Sequence, residues 1–238
     1  MIDTHAHLDA LDDTDGAISR AREAGVTRIL TVGGAEAVAL ADRFDDVHAI
    51  VGIHPHDAAM GDVGEVRRLQ AHPKVVAVGE TGLDWFRDYA PRADQLRVFE
   101  SQLGLAAELG KPVVIHTRAA DDDTLAALAG FDGTVVLHCF SSPHLLPTAL
   151  ERGWYVSFAG NVTYKNAPEL RIAAAQVPAD RILAETDCPY LAPQPVRGKR
   201  NEPAYVAHTV DALARARDEE PSELAAQIDR NASACFGL

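Results

Sequence analysis

The sequence predicts an α/β fold in which eight parallel strands alternate with helices and close into a (β/α)8 barrel. Short runs of β-branched residues alternate with amphipathic, Ala- and Leu-rich stretches along the whole chain. Two of the runs, Val-Val-Ala-Val at 75–78 and Pro-Val-Val-Ile at 112–115, are apolar throughout, as strands covered on both faces should be. Eight strand–helix units need about 250 residues, and the chain has 238.

We therefore interpret residues 1–238 as one TIM-barrel domain, with a doubly wound open sheet as the alternative. Strands are predicted near Met1–Thr4, Arg28–Val32, Val47–Ile53, Val75–Gly79, Pro112–Ile115, Thr134–Leu137, Trp154–Phe158 and Arg181–Thr186. Helices are predicted near Asp15–Ala24, Ala35–Phe44, Val63–Ala71, Arg92–Leu109, Asp121–Ala129, His144–Arg152 and Ala167–Gln176. Two further helices, over Glu202–Arg217 and Pro221–Phe236, are expected to complete the barrel.

Composition and charge restrict the classes of function. A formal net charge of −13 disfavours non-specific binding to long duplex nucleic acid, which depends on Lys and Arg, but it does not exclude an anionic substrate. No apolar run approaches the roughly 20 residues that a membrane span needs, and Met1 is not followed by a signal-peptide pattern. The three cysteines form no Cys-x-x-Cys pair, which favours reduced thiols and a cytoplasmic location.

Two histidines lie at the end of the first predicted strand. His5 and His7 are two residues apart, so their side chains should point the same way, about 6–7 Å apart. Such a pair is typical of metal ligands. An isolated His-x-His is equally consistent with two surface histidines, so the interpretation depends on whether the chain supplies further ligands.

Four apolar strands are followed by a polar residue that the strand itself does not explain. These residues are Glu80, His116, His138 and Asp187. The carboxyl ends of the strands of a parallel barrel lie on one face, which carries the active site. With His5 and His7, four imidazoles and two carboxylates would meet there, and burying them without a metal would be costly.

The predicted ligand set suggests two metal ions rather than one. Six nitrogen and oxygen ligands are too many for one tetrahedral ion with an open position, and they suit two divalent ions about 3.5–4 Å apart that share a carboxylate. The absence of thiolate ligands leaves Zn²⁺, Mn²⁺, Mg²⁺ or Fe²⁺ open. The expected chemistry is hydrolysis, with a water molecule whose pKa the metal lowers toward about 7.

The motifs that carry these residues resemble those of the TatD-type metal-dependent hydrolases. The similar segments lie in the family's order at 3–9, 51–56, 79–84, 116–118, 138–141, 156–167, 185–193 and 197–203. They include Asp-Thr-His-Ala-His-Leu-Asp, Gly-Glu-Thr-Gly-Leu-Asp and Glu-Thr-Asp-Cys-Pro-Tyr-Leu-Ala-Pro. The resemblance covers the full chain and, taken as a set, is highly specific.

The resemblance implies a (β/α)8 barrel of the metal-dependent hydrolase type and a deoxyribonuclease activity. It also implies how the ligands are divided: His5, His7 and Asp187 on one ion, His116 and His138 on the other, and Glu80 bridging both. Asp187 would in addition be the base for the attacking water.

Other residues near the predicted mouth are weaker candidates. His54 could face the substrate or could cap the loop after the third strand. Arg118 could bind a phosphate in a bidentate manner, or pair with Asp121 or Asp122. The basic run 197–200 follows strand eight, where barrels often bind phosphate, but a solvated loop is the simpler interpretation. Glu185 shares a face with Asp187 and is expected to support a ligand rather than bind metal.

The sequence thus predicts an enzyme that hydrolyses phosphodiester bonds of DNA with two divalent ions (Zn²⁺, Mn²⁺ or Mg²⁺), acting on ends or on single strands. The expected partner is DNA or an oligonucleotide, with no membrane and no obligatory protein partner. The alternative is hydrolysis of esters or amides, including aminoacyl-tRNA, because the same activated water attacks carbonyl groups. A metal-binding or nucleic-acid-binding protein without activity is a more remote possibility.

Overall fold

Eight strands of one parallel sheet form the centre of the molecule. The computed structural model describes residues 1–87 and 89–238. Each strand pairs in parallel with the next strand in the chain. The strands are β1 (Ile2–Ala6), β2 (Arg28–Gly33), β3 (Val47–Val51), β4 (Val75–Asp84), β5 (Val113–Arg118), β6 (Val135–Leu137), β7 (Tyr155–Phe158) and β8 (Ile182–Ala184). The (β/α)8 barrel predicted from the sequence is confirmed.

Helices alternate with the strands and cover the outside of the barrel. They are α1 (Thr14–Glu23), α2 (Ala35–Arg43), α3 (Val63–Leu69), α4 (Arg92–Leu109), α5 (Asp121–Leu128), α6 (Leu146–Glu151), α7 (Pro168–Gln176), α8 (Val206–Arg217) and α9 (Pro221–Phe236). The helix predicted from Glu202 begins only at Val206, after a 3-10 turn over Pro203–Tyr205. None of the helices in the described part of the chain is long and apolar enough to cross a membrane.

The barrel closes where β8 meets β1. Beyond the end of β8, the backbone N–H of Asp187 donates to the carbonyl of His5 at 2.9 Å. The buried carboxylate of Asp3 accepts hydrogen bonds from Thr186, from N at 2.8 Å and from Oγ1 at 2.6 Å. Burial raises the pKa of Asp3 to about 8, although the hydrogen bonds from Thr186 oppose this shift. This seam places the first and last strands in fixed register.

β4 and β5 extend furthest beyond their predicted ends, whereas β1 and β2 exceed theirs by one or two residues. β4 continues to Asp84 and β5 to Arg118, because the two strands pair along this extra length. Glu80 and His116 therefore lie inside strands rather than just after them. Strand boundaries of this kind depend on pairing with a neighbour, which a single-sequence pattern does not contain.

The backbone of β4 is irregular around Glu80. The pairing register with β5 shifts between Val78 and Thr81, and such shifts redirect side chains. At Gly82 a Cβ atom would lie 2.0 Å from the carbonyl oxygen of His116, and the residue has a φ of +138°. Only glycine fits this close approach, so Gly82 allows β4 and β5 to bring their polar side chains together.

Substitution of Gly82 tests this close contact. We expect Gly82→Ala to lower the free energy of unfolding by about 2 kcal/mol or more, because the new methyl group overlaps the β5 backbone in a strained conformation. Gly104→Ala in α4 is the matched control, since a Cβ there meets no atom within 4 Å. The control should be neutral or slightly stabilising, because alanine favours helix more than glycine does. Equal melting temperatures for the two variants in a thermal unfolding experiment would contradict the assignment.

Candidate metal centre

The six residues predicted as ligands meet at the carboxyl-terminal end of the barrel, around the buried side chain of Glu80. One oxygen of this carboxylate, Oε2, faces β1. It lies 3.3 Å from Nε2 of His5 and 3.7 Å from Nε2 of His7. Both histidines of the His-x-His pair therefore point to the same carboxylate oxygen, as the alternation of side chains along a strand requires.

The other oxygen of Glu80 faces the opposite side of the barrel. Oε1 lies 2.8 Å from Nδ1 of His116 and 2.9 Å from Nε2 of His138. His54 also approaches this oxygen, with its Nε2 at 3.5 Å. Glu80 thus divides the histidines into two groups, one at each oxygen, which is the arrangement that a carboxylate shared by two ions would need.

Asp187 joins the group on the β1 side. Its Oδ1 lies 3.4 Å from Nε2 of His7 and 3.9 Å from Nε2 of His5. Its side chain is 13% exposed, whereas that of Glu80 is 4% exposed. Asp187 is therefore the carboxylate of the cluster that solvent reaches more readily.

The donor atoms of the cluster fit a divalent metal. Three overlapping groups each offer ligand atoms within 4.8 Å of one another: His5, His7 and Asp187; His5, Glu80 and His138; and His54, Glu80 and His116. His5 is fully buried, and neither of its ring nitrogens has a hydrogen-bond partner within the described chain. A buried, unpaired polar atom is costly, and a metal ion would satisfy it.

The carboxylates of the cluster are held in their ionised form. Burial opposes ionisation of Glu80, but the neighbouring His138 and His54 keep its pKa well below the usual value. Burial also opposes ionisation of Asp187, and a hydrogen bond with His7 together with the charge of His138 lowers its pKa. Both buried carboxylates therefore require positive charge beside them, which a divalent cation among the same imidazoles would supply.

A second layer of residues fixes the orientation of His138. Its Nδ1 lies 2.9 Å from Oε1 of Glu185, which also accepts the backbone N–H of Cys139 at 2.7 Å. Ser157 donates to the other oxygen of Glu185 at 2.5 Å. This contact leaves Nε2 of His138 directed at Glu80. Glu185 therefore contacts the predicted ligand His138, the kind of position expected for a residue that supports a ligand.

Asp84 is a member of the site that the sequence reasoning missed. Its side chain is buried, and its Oδ2 lies 2.9 Å from Nε2 of His56 and 3.3 Å from Nε2 of His116. Burial opposes ionisation of Asp84, but the hydrogen bond with His116 and backbone N–H groups hold its pKa below the usual range. Period-two alternation places it on the same face as Glu80. The alternation did not indicate Asp84 because β4 was predicted to end at Gly79, five residues earlier.

The weaker candidates occupy defined positions. Nδ1 of His54 accepts a hydrogen bond from the backbone N–H of His56 at 3.1 Å, so His54 caps its loop and also faces Glu80. The Arg118 guanidinium lies 4.0 Å from the ring centroid of Phe86. The proposed alternative partners of Arg118 have other contacts: Asp121 with Ser142 and Asp122 with His144.

The basic run after β8 does not enter the cluster. Arg197 stacks on the ring of Tyr164, with its guanidinium carbon 4.0 Å from the ring centroid. Arg200 donates to the carbonyl of Ala10 at 2.5 Å and lies 3.5 Å from a carboxylate oxygen of Asp12. These two arginines therefore serve contacts within the protein.

Comparison with known proteins identifies the relatives of this site. The model of the family described as "TatD related DNase" matches residues 2–237. The chain belongs to the TatD family of metal-dependent hydrolases. Over 261 residues it is 41% identical to the "uncharacterized metal-dependent hydrolase TatD" of Mycobacterium tuberculosis, covering 100% of this chain and 98% of that protein.

One further relative and one solved structure are similar to this TatD-family chain over most of its length. It is 38% identical over 243 residues to the "3'-5' ssDNA/RNA exonuclease TatD" of Citrobacter rodentium, covering 95% of this chain and 92% of the relative. The crystal structure of YjjV, a TatD homologue from Escherichia coli, superimposes with a TM-score of 0.93 at 30% identity and covers 100% of this chain and 98% of that one. The family resemblance seen in the sequence motifs is thus confirmed.

Replacement of Glu185 tests its role in positioning His138. We expect Glu185→Gln to weaken metal binding about 10–100-fold, because the amide holds the imidazole less firmly and makes it less basic. Isothermal titration of the metal-free protein with Zn²⁺ or Mn²⁺ measures the change. Glu108→Gln is the control, since Glu108 forms an exposed ion pair with Arg67. Unchanged metal affinity in a folded Glu185→Gln variant would show that Glu185 does not act through His138.

Proposed function

We propose that this TatD-family protein hydrolyses phosphodiester bonds of DNA with two divalent metal ions, acting on single strands or on strand ends. The observation that carries the proposal is the division of the histidines between the two oxygens of Glu80, with His5 and His7 near Oε2 and His116 and His138 near Oε1. A cluster built for a single ion would not need ligands at both oxygens.

The proposed ligands divide between the two positions. His5, His7 and Asp187 would hold one ion, His116 and His138 the other, and Glu80 would bridge them. The donor set suits Zn²⁺, Mn²⁺ or Mg²⁺. When bound, such ions lower the pKa of water and neutralise charge on a phosphodiester. His54, at 3.5 Å from Glu80, is close enough to be an additional ligand or a substrate contact.

Side chains of the protein would transfer the proton and orient the histidine ligands during hydrolysis. Asp187 accepts the proton of the attacking water, because it is ionised and is the more exposed carboxylate of the cluster. The water oxygen would bond to phosphorus as the bond from phosphorus to the leaving oxygen breaks, and the proton held by Asp187 would pass to that oxygen, which returns Asp187 to its ionised form. Glu185 and Asp84 hold the imidazoles of His138 and His116 in place during the reaction.

Two observations favour a nucleic acid end or single strand as the substrate. Some relatives, including that of Citrobacter rodentium, are named as exonucleases of single-stranded DNA and RNA. The net charge of −13 opposes tracking along a long duplex. Ester or amide hydrolysis, including that of aminoacyl-tRNA, uses the same activated water and is the alternative reaction.

Metal removal tests the mechanism and the substrate together. We expect a chelator to abolish hydrolysis of single-stranded oligonucleotides, and added Zn²⁺, Mn²⁺ or Mg²⁺ to restore it, because the ions activate the water. The metal-loaded protein should be assayed in parallel on single-stranded DNA, duplex DNA, and ester, amide and aminoacyl-tRNA substrates. Activity that survives complete metal removal would rule out the mechanism. Turnover of a carbonyl substrate without cleavage of DNA would replace the proposed reaction with the alternative.

Removal of the bridging carboxylate tests the assignment of Glu80. We expect Glu80→Ala to remain folded but to lose activity by about a thousand-fold or more, because both metal positions lose a shared ligand. Metal content by mass spectrometry should fall below two ions per chain. Glu108→Ala, on the exposed side of α4, controls for loss of a glutamate. A folded Glu80→Ala variant with full activity and metal content would exclude the bridging role.

A further inference from the structure

Exposed aromatic side chains are concentrated at the mouth of the barrel. Among the large apolar residues that are exposed in the described chain, three are aromatic: Phe86, Tyr89 and Tyr190, which are 60%, 64% and 57% exposed. All three lie in loops that follow β4 or β8, the strands that lead to Glu80 and Asp187. Exposed aromatic residues at a functional face commonly bind a ligand or a partner.

The loop that carries Phe86 is attached directly to the metal centre. Oδ1 of Asp84 accepts the backbone N–H groups of Phe86 at 2.9 Å and Arg87 at 2.8 Å. Oδ2 of the same carboxylate contacts His116 at 3.3 Å. One side chain thus contacts both a predicted metal ligand and the aromatic loop, so the backbone that carries the Phe86 ring is held beside the cluster.

Cationic side chains lie around this aromatic group. The guanidinium of Arg118, at the exposed end of β5, lies 4.0 Å from the ring centroid of Phe86. Arg87 lies 5.5 Å from the same ring and 6.0 Å from that of Tyr89. The ring of Tyr89 contacts that of His56 edge to face, with centroids 4.8 Å apart. Acidic residues outnumber basic ones in this chain, 35 to 22, yet two arginines adjoin these rings.

Tyr190 lies on the other side of the cluster. Its ring contacts that of His7 edge to face, with centroids 5.8 Å apart. Its backbone is fixed, because its N–H donates to the carbonyl of Asp187 at 2.9 Å and its own carbonyl accepts from Asn201 at 2.6 Å. Aromatic rings therefore flank both halves of the cluster: Tyr190 lies beside His7, Tyr89 lies beside His56, and Phe86 is linked to His116 through Asp84.

We infer that these aromatic side chains are stacking sites for unpaired bases of a single strand, on either side of the phosphodiester bound at the Glu80 cluster. This inference rests on the proposed function and adds how the substrate is held. Base–aromatic stacking with neighbouring arginines is the mode by which proteins bind single strands without reading their sequence. A protein partner would bury the same rings, but it would not need them divided between the two halves of a hydrolytic centre. Paired bases within a duplex do not expose their faces to such rings.

Fluorescence of a stacked base provides a direct test that does not require turnover. The probe is a short oligo-dT with 2-aminopurine at the 3' end or the 5' end, titrated with protein in chelator and, separately, with Mg²⁺. We expect quenching with the wild-type protein. Phe86→Ala or Tyr190→Ala should reduce the quenching and weaken binding about tenfold, the size typical of one lost stacking contact. Phe86→Trp should retain both, because it preserves a ring.

The control is Ile172→Ala, which removes another exposed apolar side chain, 61% exposed on α7. It should bind like the wild type. In the turnover assay, an oligonucleotide with abasic residues at both ends should show a raised KM. The KM of the wild type for intact oligonucleotides should also depend little on base identity.

The outcomes separate this inference from the proposed function. Loss of quenching in Phe86→Ala or Tyr190→Ala supports stacking even if the protein does not cleave the oligonucleotide, in which case only the proposed function fails. Cleavage by the wild type with unchanged quenching and KM in both variants overturns the inference but leaves the function. Absence of quenching by the wild type in chelator and with Mg²⁺ alike also overturns it, as does equal weakening by Ile172→Ala.

Discussion

The buried carboxylate of Glu80 is the constraint on which the carboxyl-terminal face of this barrel depends. An ionised group with only 4% of its side chain exposed must be surrounded by compensating partners, and here imidazoles from four strands or their following loops approach it. These imidazoles do not satisfy one another's hydrogen-bonding groups, because neither ring nitrogen of His5 has a hydrogen-bond partner in the described chain. A cation between them would be coordinated by an unpaired nitrogen of His5 and would compensate the charge of the carboxylate.

The backbone has unusual features where this carboxylate is placed. The pairing register shifts in β4 around Glu80 and in β1 between Asp3 and Ala6, on both sides of the cluster. Gly82 accepts a conformation and a contact that no larger residue would tolerate. Regular, evenly paired strands would leave these side chains in an ordinary packed layer. The local irregularities redirect them toward a common point, which agrees with the frequent occurrence of bulges beside functional sites.

Much of the fold and part of the site could be predicted from sequence. Continuous apolar runs predicted the strands. Polar residues at the ends of these runs are not explained by the strands themselves, and they were therefore predicted as ligands. These residues are His5, His7, Glu80, His116, His138 and Asp187. Residues whose role depends on pairing between strands were less accessible. Asp84 was hidden because the extension of β4 comes from its contact with β5. The position of His54 near Glu80 and the exposed rings at the mouth depend on loop geometry, which has no period that a pattern could detect.

The contact between β8 and β1 determines the stage of synthesis at which the proposed metal centre can form. Asp3 and Thr186, which are joined across it, stand 183 residues apart in sequence. Within this chain His5 and His7 are synthesised well before Asp187. A nascent chain therefore carries the other proposed ligands before Asp187 is available to complete the set. Hydrolysis of the proposed kind would therefore require closure of the barrel, which brings Asp187 beside His5 and His7.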